Sequence, residues 1–156
     1  MITLRSLPAL CLGALITLAG SLAHADTLSA DQIREGLSHA DDYGFTHYIE
    51  LEAEDRDELE VKGWLDDEWV GDVTFSADGT PRKEERSRRD GGAWGMTHDQ
   101  ATATLATAEA QGMTRFEEIK IDRRGRIEVE GKDREGRDLE LYIEADTGEV
   151  TRVDRD

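Results

Sequence analysis

Cysteine and proline are almost absent from this chain of 156 residues, which has one of the former and two of the latter. The single cysteine, Cys11, lies inside an N-terminal apolar run. Beyond it no disulfide can form, so the stability of the remaining chain must come from packing alone. No cysteine nucleophile is available there either, and the serines lie at predicted helix caps or in the connector. No hydrolase site is therefore predicted, and we expect no enzyme.

Positive charge is also scarce. The chain has 36 Asp and Glu residues against 19 Lys and Arg residues, and its formal net charge is −17. Phosphate binding needs a basic surface, so nucleic acid is excluded as a partner. A basic partner or cations would complement this charge, whereas solubility in water is the simpler explanation of it.

Long apolar runs are absent except near the N-terminus, where residues 7–18 (LPALCLGALITL) follow the positive charge of Arg5. This run is too short to cross a bilayer, and residues 23–25 (AHA) have the small-x-small pattern of a signal-peptidase site. A lipoprotein anchor at Cys11 is disfavoured, because a large residue stands before it where a small one is needed. The sequence therefore predicts a signal peptide cleaved after Ala25, and a periplasmic or secreted protein without a membrane span.

The chain does contain an internal repeat. Identical or similar residues recur at an offset of 68 positions over a stretch of about fifty, as in the pairs Ser29/Thr97, Asp31/Asp99, Gln32/Gln100, Leu37/Leu105, Ala40/Ala108, Gly44/Gly112, Glu50/Glu118, Val61/Val129 and Asp78/Asp146. A repeat of this length indicates two copies of one supersecondary unit, placed one after the other along the chain.

Each copy begins with the signature of a helix. A hydroxyl residue at the N-cap and a glutamine three positions later form a predicted capping box, and the apolar residues that follow have helical spacing. A glycine then marks the stop. These signals predict helices over residues 30–43 and 98–111.

After each glycine the apolar period changes to two, which predicts half-buried strands. In the second copy the buried positions are Ile119, Ile121, Ile127, Val129, Leu139, Leu141 and Ile143, and in the first they are Leu51, Ala53, Leu59, Val61, Gly71, Val73 and Phe75. Clean alternation indicates antiparallel sheets that are covered on one side only.

The predicted fold class is therefore α+β. It consists of two tandem units, each with one helix packed on one face of an antiparallel sheet of three or four strands. The predicted divisions are a signal peptide at 1–25, a degenerate first copy at 26–85, a connector at 86–95 and a second copy at 96–156. The fourth strand of the first copy is expected at a sheet edge or in the connector, because Pro81 and a run of charges interrupt it.

The second copy resembles the PepSY domain, a small module of peptidase propeptides and of many exported bacterial proteins. The resemblance is carried by the alanine-containing helix from Thr97 to Ala110, by Gly112, and above all by the ending YIEADTGEV at residues 142–150. It covers about Met96 to Asp154 and reaches the first copy only through the internal repeat. It implies a non-catalytic, extracytoplasmic module that binds, inhibits or regulates a peptidase.

Metal and cofactor sites are not predicted. The histidines His39, His47 and His98 have no i, i+4 spacing on one helix, and the acidic stretch at residues 55–58 lacks the ligand pattern and central glycine of an EF-hand. The charged residues of the strands lie at exposed positions, where carboxylates stay ionised.

The tryptophans are the candidate partner-binding residues. Trp69 has the parity of Val73 and is expected to pack at the end of the core. Trp64 has the opposite parity, which predicts an indole on the open face of the sheet, and Trp94 lies in the connector. Both are candidate anchors for a partner; the alternative is that they cover the junction between the copies.

The leading hypothesis is an exported, non-catalytic binding module that docks an exported peptidase or another envelope protein and inhibits or regulates it. The alternative is an acidic structural or charge-buffering envelope protein without a dedicated partner.

Overall fold

The computed structural model describes residues 26–55 and 57–156. The predicted signal peptide and its anchor alternative at Cys11 lie outside these residues. Within them the chain forms two helices and eight strands: α1 (Ala30–Tyr43), β1 (His47–Glu54), β2 (Glu58–Trp64), β3 (Trp69–Phe75), β4 (Pro81–Arg88), α2 (His98–Ala110), β5 (Met113–Ile121), β6 (Arg126–Asp133), β7 (Asp138–Glu144) and β8 (Val150–Arg155). In this part of the chain, neither helix is long and apolar enough to cross a membrane.

All eight strands belong to one antiparallel sheet with the order β4-β3-β2-β1-β5-β6-β7-β8. The sequence predicts a separate sheet for each unit, and this detail is wrong. Each half contributes four strands, but β1 and β5 pair with each other through Glu50–Lys120, Leu51–Ile119 and Glu52–Glu118. Because an unpaired strand edge leaves backbone groups without partners, pairing these two edges satisfies such groups at their centre and produces a single layer.

The sheet ends at β4 and β8. As expected, β4 is an edge strand, and every one of its residues is exposed. It extends to Arg88, so residues 86–88, which the sequence places in the connector, belong to the strand.

Both helices are closed by the predicted caps. Ser29 and Thr97 accept hydrogen bonds from the backbone N–H groups of Gln32 and Gln100, whose side chains accept in return from the N-cap backbone. At the end of α1, Gly44 adopts a φ of +115°, a left-handed conformation that favours glycine over residues with a Cβ. Local signals therefore suffice to set where each helix begins and ends.

The helices run antiparallel on one face of the sheet. Arg34 in the first half of α1 forms an ion pair with Glu109 near the end of α2. At the other end, the Asp41 carboxylate lies 2.6 Å from Nδ1 of His98, the first residue of α2. Asp41 also accepts a hydrogen bond from the hydroxyl of Tyr48, a buried residue of β1. The contacts of Arg34 with Glu109 and of Asp41 with His98 tie the two halves together on the covered side of the sheet.

A single hydrophobic core lies between the helices and the sheet. It contains residues of both halves, including Leu37 and Leu105 on the helices and Leu51, Val61, Ile119, Val129 and Leu141 on the strands, each at most 1% exposed. The buried positions predicted from alternation are thereby confirmed, except that Ala53 is only partly buried.

We predict that the two halves unfold in one cooperative transition, because they share one sheet and one core. Leu37→Ala and Leu105→Ala each remove a buried side chain and should destabilise the protein by about 2–5 kcal/mol. Urea unfolding followed by circular dichroism should show one transition whose midpoint falls in both variants.

Two independent units would behave differently. The wild type or a variant would then show two transitions, and each substitution would shift only the transition of its own half.

Candidate functional site

The face of the sheet opposite the helices carries no covering helix or strand from the described residues. Its side chains are those that alternate with the core residues along each strand, and most are charged. The register of the strands places them in rows that cross the sheet. Two such rows are charged along most of their length.

One row contains six carboxylates on six consecutive strands, which we call the acidic ladder: Glu60, Glu52, Glu118, Glu130, Glu140 and Asp154, on β2, β1, β5, β6, β7 and β8. Each is directly opposite the next in the strand register. Like charges in such positions are destabilising, because their side chains lie within reach of each other. Five of the six residues are half-buried, and Glu52 is exposed.

The neighbouring row mixes both signs. It runs Glu85, Asp72, Lys62, Glu50, Lys120, Glu128, Tyr142 and Arg152 from β4 to β8. Lys120 is its central cation and reaches into the acidic ladder, with Nζ 2.6 Å from Glu118 and 3.3 Å from Glu130. At the ends of the ladder, Lys83 lies 3.9 Å from Glu60, and Arg152 lies 2.5 Å from Asp154.

Partial loss of hydration and the crowding of negative charge both raise the pKa values of carboxyl groups on this face. Although Glu52 is exposed, partial loss of hydration on the sheet raises the pKa of its carboxyl, and the neighbouring carboxylates of Glu54, Glu50 and Glu118 raise it further. Partial burial and then Asp72 raise the pKa of Glu60. For these two groups the folded protein therefore holds a proton more tightly than an isolated carboxyl does.

Lys120 shows the complementary effect. Burial by itself lowers the pKa of its ammonium, but the carboxylates of Glu118, Glu130 and Glu128 outweigh burial and hold the pKa above its usual range. An ammonium group is thus stabilised on the ladder.

Among the described residues, Glu52, Glu54 and Glu60 are the three carboxylates placed closely enough to hold a metal ion, with oxygens within 4.8 Å of one another. No histidine joins them. The register of β1 and β2 brings them together, and that register was not available to the sequence analysis, which predicted no metal site.

Trp64 lies on the predicted side of the sheet but is not exposed there. Its row contains Val70 and His47, and its side chain is only 1% exposed. Trp64 and Val70 are both buried without belonging to the main core. The expected exposure of the Trp64 indole is therefore wrong, because local packing at this end of the sheet encloses it.

Trp94 is half-buried and packs against the core, and the guanidinium of Arg123 lies 4.8 Å from the centre of its ring. Arg123 belongs to the turn between β5 and β6, and Met96, two residues after Trp94, pairs with Tyr48 of β1. This placement at the junction is the alternative that the sequence analysis left open for Trp94.

Trp69 is an exposed indole, although its parity predicts burial. It begins β3 and is 41% exposed, the one large exposed hydrophobic residue in the described part of the chain. The predicted burial of Trp69 is wrong because the core at this end is already filled by Phe45 and Leu65, which lie against Gly71. Parity alone could not show that the core ends before Trp69.

The turn between β7 and β8, which carries most of the family resemblance, is structural. Gly148 has a φ of +70° and donates its backbone N–H to the carbonyl of Glu144 at 2.7 Å. The carbonyl of Ala145 accepts from the side chain of Gln100, the capping residue of α2, at 3.4 Å. The turn therefore joins the last hairpin to the start of the second helix.

We predict that Glu52→Gln stabilises the protein at pH 7 by about 0.2–1 kcal/mol, because it removes one of the like charges that face each other in the ladder. The raised folded pKa of Glu52 means that the ionised side chain costs stability above that pKa. The cost disappears as the pH falls through the folded pKa to below the ordinary value of 4.5. The gain from the substitution should therefore shrink between pH 7 and pH 4.

The measurement is the urea midpoint of wild type and variant at several pH values. Glu35→Gln, on the exposed surface of α1, removes the same charge away from the sheet and serves as the control. A lower midpoint for Glu52→Gln than for wild type at pH 7 would contradict the repulsion described here.

Comparison with known protein families supports the resemblance to the PepSY domain in the second half of the chain. No curated protein matches the chain. One solved structure, of a candidate lipoprotein from Clostridium difficile 630, is similar at 13% identity and a TM-score of 0.47, covering 77% of this chain and 89% of that one. Residues 92–154 match the family model PepSY_2, described as the peptidase propeptide and YPEB domain, so this part of the chain is similar to that family.

Proposed function

We propose that this chain is an exported, non-catalytic binding protein that docks another exported protein, a peptidase in the first instance, and restrains it. The observation that carries the proposal is the uncovered face of the eight-stranded sheet with its acidic ladder. The similarity of residues 92–154 to peptidase propeptide domains supports the choice of a peptidase as the partner. Signal-peptide cleavage after Ala25 would release the protein outside the cytoplasm.

We also propose that the chain arose as a tandem pair in which the first copy is a degenerate member of the same family. Several irregular features support this proposal, because they recur at the offset of 68 residues. A register shift occurs in β1 between Tyr48 and Glu50 and in β5 between Phe116 and Glu118. In β2 and β6, a Cβ on Gly63 or on Gly131 would collide with the carbonyl oxygen of His47 or Arg115, respectively.

The pairing of the two halves supports the same proposal. Leu51 and Ile119, which correspond at this offset, face each other where β1 meets β5. Each copy thus presents the same strand to the other, as identical subunits do across a two-fold axis. The proposed duplication would then have united two small modules into one wide surface.

Trp69 and Trp94 are the proposed apolar contacts beside this surface. Trp69 has the parity of the core residues, so a partner would reach it around the end of the sheet, and Trp94 is half-buried at the junction between the copies. Trp69 is the exposed indole at one end of the sheet, and indoles are common anchors in interfaces. Trp64 is buried, so we expect its side chain to stabilise the sheet and not to contact a partner. The variant Trp64→Ala would therefore report on stability, at a cost of about 3–5 kcal/mol, rather than on partner contact.

A second function has one observation in its favour. The raised pKa values of Glu52, Glu60 and Glu128 suit a protein that takes up protons and cations near its surface. An acidic, charge-buffering envelope protein would need no dedicated partner.

The test is a panel of exported peptidases assayed on a protein substrate, with and without the purified chain. We expect at least one peptidase to be slowed in proportion to the amount of chain added. Trp69→Ala should weaken that inhibition by about tenfold or more, the usual effect of removing a large anchor from an interface. The melting temperature of the variant should remain near that of wild type, since the side chain is exposed.

Undiminished cleavage by every peptidase would remove the inhibitory function and favour the charge-buffering protein. Inhibition that persists unchanged in both Trp69→Ala and Trp94→Ala would retain the function and reject these two anchors.

A further inference from the structure

We infer that the open face of the sheet binds an extended Lys/Arg-rich segment of a partner protein, which lies along the acidic ladder and crosses the strands. The inference rests on the proposed function and names the chemistry of the partner at that surface. It follows from the linear arrangement of the carboxylates, from the cations that already occupy part of the ladder, and from the absence of any role for the ladder in the core.

The length and spacing of the ladder fit an extended peptide. Six residues on neighbouring strands span about 24 Å, because strands lie about 4.8 Å apart. Alternate side chains of an extended chain point to the same side about 6.8 Å apart. A segment with four cations at alternate positions therefore spans roughly 20 Å, which fits within the length of the ladder. Lysine and arginine side chains are long and flexible, so each cation can reach a ladder carboxylate although the two spacings differ.

The linear shape separates this partner from a single metal ion. A divalent cation needs several oxygens converging at about 2.0–2.6 Å from one point. In the described part of the chain the one set that approaches this condition, Glu52, Glu54 and Glu60, lies at one end of the ladder. The carboxylates of Glu118, Glu130, Glu140 and Asp154 continue away from that set, strand by strand. An elongated polycation can contact them all, whereas an ion at a single point cannot.

Lys120 shows how such a cation would be held. Its ammonium lies between Glu118 and Glu130 and also lies 3.6 Å from Glu128, so three carboxylates share one positive charge. The side chain of Lys120 is still 39% exposed, and the ladder stays accessible around it. A lysine or arginine of a partner can use the same arrangement at the neighbouring positions.

Two carboxylates of the ladder remain available for such contacts. Among the described residues, no Lys, Arg or His nitrogen lies within 4.0 Å of Glu52 or Glu140, and Glu140 has only the hydroxyl of Tyr142 as a side-chain partner. Lys83, Lys120 and Arg152 form ion pairs with the other four carboxylates of the ladder. The ladder therefore retains negative charge that the chain itself does not neutralise.

The fold does not require this charge. All core residues lie on the opposite face of the sheet, and facing carboxylates reduce the stability of a strand pair. A threonine or a lysine at alternate ladder positions would remove that cost. A partner that brings several cations would compensate the repulsion upon binding, and the attraction would increase the rate of association at low salt.

The test uses a fluorescently labelled peptide of four Arg-Thr repeats and measures its binding to the purified chain by fluorescence anisotropy at about 50 mM salt. The ladder variant carries Glu52→Gln, Glu130→Gln and Glu140→Gln together, so that Lys120 keeps its contacts with Glu118 and Glu128. The control variant carries Glu35→Gln, Asp42→Asn and Asp67→Asn, which change the net charge equally on α1 and on the turn before β3. Melting temperatures of all three proteins establish that each is folded.

We expect the ladder variant to bind the peptide about tenfold more weakly than wild type, since each of the three lost charge pairs at the protein surface contributes a factor of about two to five. The control variant should bind within about twofold of wild type. Equal weakening in both variants would overturn the inference, because the attraction would then be a property of the net charge. Absence of binding to wild type would overturn it too.

A metal site is the remaining competitor. The peptide is also titrated with calcium at constant ionic strength. Displacement of the peptide by calcium would assign the ladder to divalent cations and overturn the inference. The peptidase panel separates this outcome from failure of the proposed function. Inhibition of a peptidase without peptide binding would reject the ladder as the contact, whereas peptide binding without inhibition would reject the peptidase as the partner.

Discussion

The pairing of β1 with β5 is the contact on which the rest of the structure depends. Only three residue pairs make it, around Leu51 and Ile119, but it converts two four-stranded sheets into one. It pairs two strand edges that would otherwise expose their backbone groups. It also places the two helices side by side on one face, where the ion pair of Arg34 with Glu109 and the contact of Asp41 with His98 join them.

The same contact creates the binding surface. With both helices on one side, the other side of eight strands remains uncovered, and it is far wider than either half could present alone. The acidic ladder crosses the junction itself, since Glu52 and Glu118 face each other there. Neither half contains the whole ladder. Architecture and proposed function are therefore linked: separation of the halves would divide the surface as well as the core.

Local features of the fold were predictable from the sequence, and the arrangement across strands was not. Ser29 and Thr97 marked the helix starts, Gly44 marked a stop, and alternation identified the buried positions, because these signals depend on residues close together in the chain. The joining of the sheets depends on which edges meet, which no local pattern encodes. The ladder depends on the register of six strands, so its glutamates appeared only as exposed charges. The predicted exposure of Trp64 and the predicted burial of Trp69 were wrong for a related reason. Residue parity predicts the side of the sheet on which a side chain lies, but it does not show where packing encloses one indole and leaves another exposed.

Hydrogen exchange at the junction tests this account most directly. If β1 and β5 are paired at the centre of one sheet, those backbone amides of residues 50–52 and 118–120 that donate across the junction should exchange about as slowly as that of Val129 in β6, since all would open only when the protein unfolds globally. Exchange at these positions as fast as in the edge strand β8, with slow exchange retained in β2 and β6, would contradict the account, because the halves would then be separate units in contact only through a loose junction.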